Sequence, residues 1–128
     1  MDHIADFINQ LKTASLTRKE SVTIPYSKMN LAVAELLKKE GYIGEITKKG
    51  KKVVKTIEIA LVYENSQPKV QGVQRISKLS RRMYNKVKEI RPLKQGYGMR
   101  VFTTPKGILS DRDARKENVG GEILFTIW

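Results

Sequence analysis

Between Thr56 and Tyr63 the chain places Ile57, Ile59, Leu61 and Tyr63 on one side and Thr56 and Glu58 on the other. Alternation with period two marks a strand with one buried face, because successive side chains on a pleated backbone point opposite ways. Tyr42–Lys48 precedes it, and Lys49-Gly50-Lys51-Lys52 joins the two. Together they predict a β-hairpin of Tyr42–Lys48 with Val53–Tyr63. The segments before the hairpin change period. Ile4, Phe7, Ile8 and Leu11 recur at helical spacing, so residues 3–15 read as an amphipathic helix. Ser21-Val22-Thr23-Ile24 alternates and stops at Pro25, as a short strand does. A second helix over 28–40 has Ser27 as its N-cap and Met29, Val33, Leu36 and Leu37 facing inward. Glu35 and Lys39 stand on its exposed side, and Gly41 occupies the C-terminal cap. Residues 1–63 thus read α-β-α-β-β, a compact half.

The polar, proline-containing stretch 64–69, Glu64-Asn65-Ser66-Gln67-Pro68-Lys69, reads as a linker to a second domain over 70–128. There, Val70–Lys78 and Met99–Thr104 read as strands, while Leu79–Lys94 is basic and carries no clear period. Pro105-Lys106-Gly107 forms a turn. Ser110-Asp111-Arg112-Asp113 resembles a capping box opening a short helix to about Asn118. Gly120-Gly121 breaks that helix, and Glu122–Trp128 closes the chain as a strand with Ile123, Phe125 and Ile127 on one face. The fold class expected is α+β, two small packed α/β domains, the second mostly β.

Charge narrows the function. The chain holds 25 basic and 13 acidic residues, a net +12, well beyond what solubility asks of a small domain, and so points to a polyanionic partner. The excess is uneven: Lys69–Lys106 carries 11 basic residues and one acid, Glu89. With no cysteine, thiolate metal sites and disulfides are excluded, and with His3 near a terminus as the lone histidine, imidazole-based triads are not expected. The longest apolar run, Ile59–Tyr63, is far short of the ~20 residues of a membrane-spanning helix. The acidic start Met1-Asp2-His3-Ile4-Ala5-Asp6 is not expected to act as a secretory signal, and a cytoplasmic protein is expected.

Three constellations could meet a polyanion. Thr103-Thr104-Pro105-Lys106-Gly107 offers two hydroxyls, a lysine and a glycine at a strand end, suited to phosphates, sugars and base edges. Taken by itself, an ordinary turn is the plainer account, and a Walker loop is ruled out, since the second glycine and the Lys-Ser/Thr pair are missing. Gly120-Gly121-Glu122 combines exposed backbone donors with a carboxylate able to accept from base amino groups; a helix stop is the plainer account. Arg75-Ile76-Ser77-Lys78 with Arg81, Arg82 and Tyr84 interleaves cations with an aromatic ring, as backbone contact with stacking needs, or as a solvated face would. Gly96-x-Gly98 lacks the third glycine of a dinucleotide fingerprint.

Taken in order, these motifs resemble the bacterial small-subunit ribosomal protein S-eight family. The run from Gly96-Tyr97-Gly98 to Thr103-Thr104-Pro105-Lys106-Gly107 resembles its Gly-x-Gly strand and Ser-Thr-Ser-Lys-Gly loop. Ser110-Asp111-Arg112-Asp113-Ala114-Arg115 is similar to its short helix, and Gly120-Gly121-Glu122 to its closing motif. Gln74-Arg75-Ile76-Ser77, Ile4-Ala5-Asp6 and Pro25-Tyr26-Ser27-Lys28 match upstream, so the resemblance spans nearly the whole chain. Pro105 stands in the place of the loop's last serine, Leu79-Ser80 in that of a Pro-Gly, and Asn30 where lysine is frequent.

The resemblance implies a structural constituent of the small ribosomal subunit with no enzymatic activity and no cofactor. Its expected partners are the central domain of 16S ribosomal RNA, neighbouring small-subunit proteins and the messenger of its own operon, which some members repress. It also implies a role in nucleating platform assembly, with no membrane and no small-molecule substrate. RNA contact is expected from Thr103, Thr104, Lys106, Gly107, Gly120, Gly121, Glu122 and Lys28, alongside the basic set Arg75, Lys78, Arg81, Arg82 and Tyr84. The alternatives are a general nucleic-acid-binding protein and a phosphate-handling enzyme built on the Thr-Thr-Pro-Lys-Gly loop.

Overall fold

A computed structural model describes residues 3–53, 55–78, 81–90 and 98–128. The chain is an α+β protein divided into two compact units, His3–Gln71 and Gly72–Trp128. Leu79-Ser80 and the 91–97 segment, including Gly96 and Tyr97 of the Gly-x-Gly motif, lie outside the described residues, as does the side chain of His3.

The first unit runs α1 (His3–Leu16), β1 (Ser21–Pro25), α2 (Lys28–Lys39), β2 (Ile43–Lys49) and β3 (Thr56–Leu61), the expected α-β-α-β-β order. The sheet has order β1-β3-β2, antiparallel throughout, with Ile24 opposite Ile57 and Ile46 opposite Ile59. Ile57 and Ile59 are buried together with Phe7, Ile8 and Leu11 of α1 and Val33, Ala34 and Leu37 of α2. The caps fall as expected. Ser27 Oγ accepts from Asn30 N at 3.0 Å, and Gly41 takes φ +85, a conformation that favours glycine.

One inward position differs from expectation. Met29 is 40% exposed, and Asn30 is buried at 4% in its stead. The buried stripe is centred on Val33, Ala34 and Leu37, and extending it back by three and four positions reaches Asn30 rather than Met29. A polar side chain occupies that position because Nδ2 donates to the Pro25 carbonyl at 3.0 Å, tying the helix to the end of β1. Its Oδ1 has no hydrogen-bond partner among the described residues.

Overlapping 64–69, the chain forms a small hairpin of β4 (Tyr63–Glu64) and β5 (Gln67–Pro68), with Tyr63 opposite Pro68. Asn65 (φ 52) and Ser66 (φ 64) fill its two-residue turn, both in the left-handed region that such a turn requires.

The second unit comprises β6 (Val73–Arg75), β7 (Tyr84–Asn85), a 3-10 turn (Val87–Glu89), β8 (Met99–Thr104), β9 (Gly107–Ser110), α3 (Asp111–Lys116) and β10 (Gly121–Ile127). Its sheet has order β6-β10-β8-β9, with β7 also paired to β10. β10 is paired along both edges, and a register shift between Ile123 and Phe125 turns Ile123, opposite Phe102, and Phe125, opposite Val101, to different faces instead of the one face expected. Leu124 and Thr126 are buried as well as Ile123, Phe125 and Ile127. Phe102, Ala114, Ile90 and Ile123 form a core cluster under α3. Ser110 Oγ accepts from Asp113 N at 3.1 Å, as the expected cap requires, and the helix ends at Lys116. The strand expected over Val70–Lys78 is shorter, Val73–Arg75. Upstream of it, Gly72 and Trp128 exchange backbone hydrogen bonds of 3.0 Å in both directions.

Among the described residues, no helix is long and apolar enough to cross a membrane.

Candidate nucleic-acid interface

Three strands converge at the start of β10. Glu122 is opposite Thr103 of β8 on one side and opposite Tyr84 of β7 on the other. Directly opposed residues of antiparallel strands point to the same face, so a hydroxyl, a carboxylate and a phenol ring form one row across the sheet. Tyr84 is 65% exposed, leaving its ring open to a stacking partner. Glu122 is recessed, its side chain 11% exposed, and its Oε2 accepts from Arg82 Nη1 at 3.0 Å. A recessed carboxylate held by a cation keeps its acceptor oxygens in a set direction, as recognition of a base amino group demands.

The β8–β9 connection borders this row. Thr104 is opposite Gly107, with Pro105 and Lys106 between them. The Thr104 hydroxyl donates to the Gly107 carbonyl at 2.8 Å and accepts from Lys106 N at 3.1 Å. Its donor is therefore used within the turn, leaving it one lone pair for a ligand. Gly107 has φ +109, a backbone conformation that a side chain would strain. Lys106 Nζ lies 3.4 Å from Glu117 Oε2, which lays the lysine across the end of α3.

The paired glycines have a packing reason. A Cβ on Gly121 would come within 2.1 Å of the Thr103 carbonyl oxygen, and one on Gly120 within 2.3 Å of the Asn85 carbonyl oxygen. Their missing side chains let β7 and β8 close on the start of β10. Beside them lies an open cleft of about 440 Å³ lined by Tyr84, Asn85, Lys86, Val87, Glu89, Gly120 and Gly121. Asn85, Lys86 and Glu89 were not among the residues expected from sequence. Lys86 lay inside the basic block, but Asn85 gave no signal apart from its neighbour Tyr84. Glu89 Oε1 accepts from Lys86 N at 2.8 Å and so fixes the cleft wall.

The arginine-rich arm is folded back on itself. Lys78 and Arg81 exchange backbone hydrogen bonds of 2.8 and 3.0 Å. Ser77, fully buried, both accepts from Met83 N at 2.7 Å and donates to Met83 O at 3.2 Å. This double tie delivers Arg82 and Tyr84 to the row, with Lys78 and Arg81 both exposed. Arg75 lies elsewhere. It stands opposite Phe125, further along β10, and its guanidinium donates to the Leu124 carbonyl. Lys28 belongs to the first unit, exposed in the first turn of α2. Within the second unit the structure thus gathers Thr103, Thr104, Lys106, Gly107, Gly120, Gly121, Glu122, Arg82 and Tyr84 around one end of the sheet, and not Arg75. Among the described residues no three His, Cys, Asp or Glu side chains gather where they could hold a metal ion.

The family model described as ribosomal protein S8 matches residues 2–128. The chain belongs to the ribosomal protein S8 family. Curated relatives carry the name small ribosomal subunit protein uS8. That of Bradyrhizobium sp. (strain ORS 278) is 43% identical over 128 residues, covering 99% of this chain and 97% of its own. Those of Mycoplasma mobile and Trichormus variabilis are 39% and 36% identical, again over 99% of this chain and 96% and 97% of theirs. The S8 match takes in both compact units, so the N-terminal α-β-α-β-β unit is as much a family feature as the C-terminal sheet.

Proposed function

We propose that this chain is a structural constituent of the small ribosomal subunit that binds the central domain of 16S ribosomal RNA, without catalytic turnover. The row Thr103–Glu122–Tyr84 carries the reading. It offers a hydroxyl for 2′-hydroxyls, a carboxylate for a base amino group and an exposed ring for stacking, a combination suited to an irregular RNA helix whose bases are reachable. Arg81, Lys78 and Lys106 around it supply phosphate contacts, which give affinity and orientation but no sequence discrimination. The names of its relatives add the assembly, a small ribosomal subunit. Early binding there would help nucleate the platform and present a surface to neighbouring subunit proteins. The same row would accept a messenger that copies the RNA structure, which is the route to repression of its own operon.

The test is a competition at fixed salt between a central-domain transcript, an unrelated structured RNA and duplex DNA of equal length. The transcript is expected to win. Equal competition by duplex DNA would reduce the protein to a general polyanion binder.

A further inference from the structure

The charge of the first unit is as localised as that of the second. Residues 47–58 carry five lysines, Lys48, Lys49, Lys51, Lys52 and Lys55, and one carboxylate, Glu58. The rest of residues 1–63 carries six cations and six carboxylates, so the whole positive excess of that stretch sits in the β2–β3 hairpin end. All five lysines are exposed. Lys49 pairs with Glu58 at 2.6 Å, whereas Lys48, Lys51, Lys52 and Lys55 make no ion pair among the described residues.

This end is a built feature rather than a loose tip. Lys55 N donates to Lys49 O at 3.0 Å, and Tyr26 N donates to Lys55 O at 2.9 Å, fastening the hairpin to the exit of β1. Gly50, at φ +148, lets the Val53 carbonyl fold back over it; a Cβ there would lie 2.2 Å from that oxygen. Lys48 opposes Ile57 and Lys49 opposes Thr56, so adjacent lysines project from opposite faces of the strand and surround the tip with charge.

We infer that this lysine hairpin is a second RNA contact, one that grips the phosphate backbone and reads no bases. The inference rests on the RNA-binding function proposed above. Ammonium groups on long stems are point charges without the fork geometry of arginine, suited to phosphates and indifferent to sequence. A protein partner fits less well, because lysine is depleted at protein interfaces and the loop's described apolar side chain is Val53 alone. Held in a separate unit from the Thr103–Glu122–Tyr84 row, the hairpin gives the chain two points of attachment. That raises affinity through effective concentration and favours RNA long enough to reach both.

Two full-chain variants test it against a central-domain transcript over a salt series. Replacing Lys48, Lys51, Lys52 and Lys55 by glutamine is expected to lower the slope of log affinity against log salt by roughly 2 to 4, at about 0.7–0.9 per lost phosphate contact. The all-arginine version at the same positions should keep the wild-type slope. The chain has no cysteine, so Val53→Cys offers a single tether for a hydroxyl-radical source, and cleavage of the transcript backbone around it is expected. An unchanged slope in the glutamine variant, a loss shared by the arginine variant, or no cleavage from position 53 would each overturn the inference while wild-type binding continued. Failure of the wild-type protein to bind the transcript would instead remove the function on which the inference rests.

Discussion

Arg82 Nη1 lies 3.0 Å from Glu122 Oε2, an ion pair that joins the arm before β7 to the start of the central strand β10. The two partners are unequal, with the arginine side chain 46% exposed and the glutamate 11%. Solvent screens the pair from the arginine side, so its coupling should be that of a surface pair, about 0.5–1 kcal/mol. A urea double-mutant cycle of Arg82→Gln and Glu122→Gln is expected to give that value at low salt and close to zero at 1 M. Larger consequences are expected on RNA. Glu122→Gln should lose discrimination between the ribosomal transcript and unrelated RNA, while binding of unrelated RNA holds or strengthens as a negative charge leaves.

Thr104 holds the β8–β9 turn through its hydroxyl, which donates to Gly107 O and accepts from Lys106 N. Removing it leaves the turn less fixed and removes one acceptor facing outward. Thr104→Ala is expected to weaken binding to the ribosomal transcript by about 1–2 kcal/mol, the worth of one or two hydrogen bonds. Thr104→Ser should retain most of the affinity. Faster amide exchange at Lys106 in the alanine variant, but not in the serine variant, would place the effect in the turn; equal exchange in both would place it in direct contact with RNA.

Gly121→Ala separates a packing role from a binding role. The added Cβ would meet the Thr103 backbone carbonyl at 2.1 Å, and backbone in the middle of a paired sheet yields poorly. Overpacking of this kind costs about 1–3 kcal/mol. Chemical denaturation should show that loss in the isolated protein, with no RNA present. Weakened RNA binding at wild-type stability would instead make Gly121 a ligand contact.

Much of this was legible in the sequence, for identifiable reasons. Alternation at Ile57, Ile59 and Leu61, helical spacing at Phe7, Ile8 and Leu11, and the caps Ser27 and Ser110 are local signals, and each element formed as they imply. Asn30 was missed because it is polar: the spacing from Val33, Ala34 and Leu37 places it on the buried stripe, but an amide is tolerated there only through its bond to the Pro25 carbonyl across the β1–α2 turn. Asn65-Ser66 looked like linker because a left-handed two-residue turn is more often announced by glycine. β9 (Gly107–Ser110) hid between a turn signal and a helix cap that both lie within it or at its edge. At the candidate site, the sequence offered residue types suited to RNA but not their gathering. The register of β7 and β8 against β10 sets Tyr84 and Thr103 beside Glu122, and it sends Arg75 to the Leu124 carbonyl instead.

Ser77 links fold to site most directly. Its buried hydroxyl accepts from Met83 N and donates to Met83 O, and the Met83 carbonyl also accepts from Ile123 N at 2.8 Å. Ser77→Ala would leave that carbonyl with its β10 partner but strip Met83 N of its only acceptor among the described residues, leaving a half-buried donor unpaired. The expected loss is about 1–3 kcal/mol of stability, the desolvation penalty of an orphaned group. Because Met83 lies between Arg82 and Tyr84, the arm should loosen where it enters the row. Hydrogen exchange at Met83 should accelerate more than at Leu37 or Ile59 in the first unit. RNA affinity should fall even at temperatures where the variant is fully folded. If Met83 exchange stayed at the wild-type rate, the serine would be a space-filler, and the arm would owe its position to the β7–β10 pairing alone.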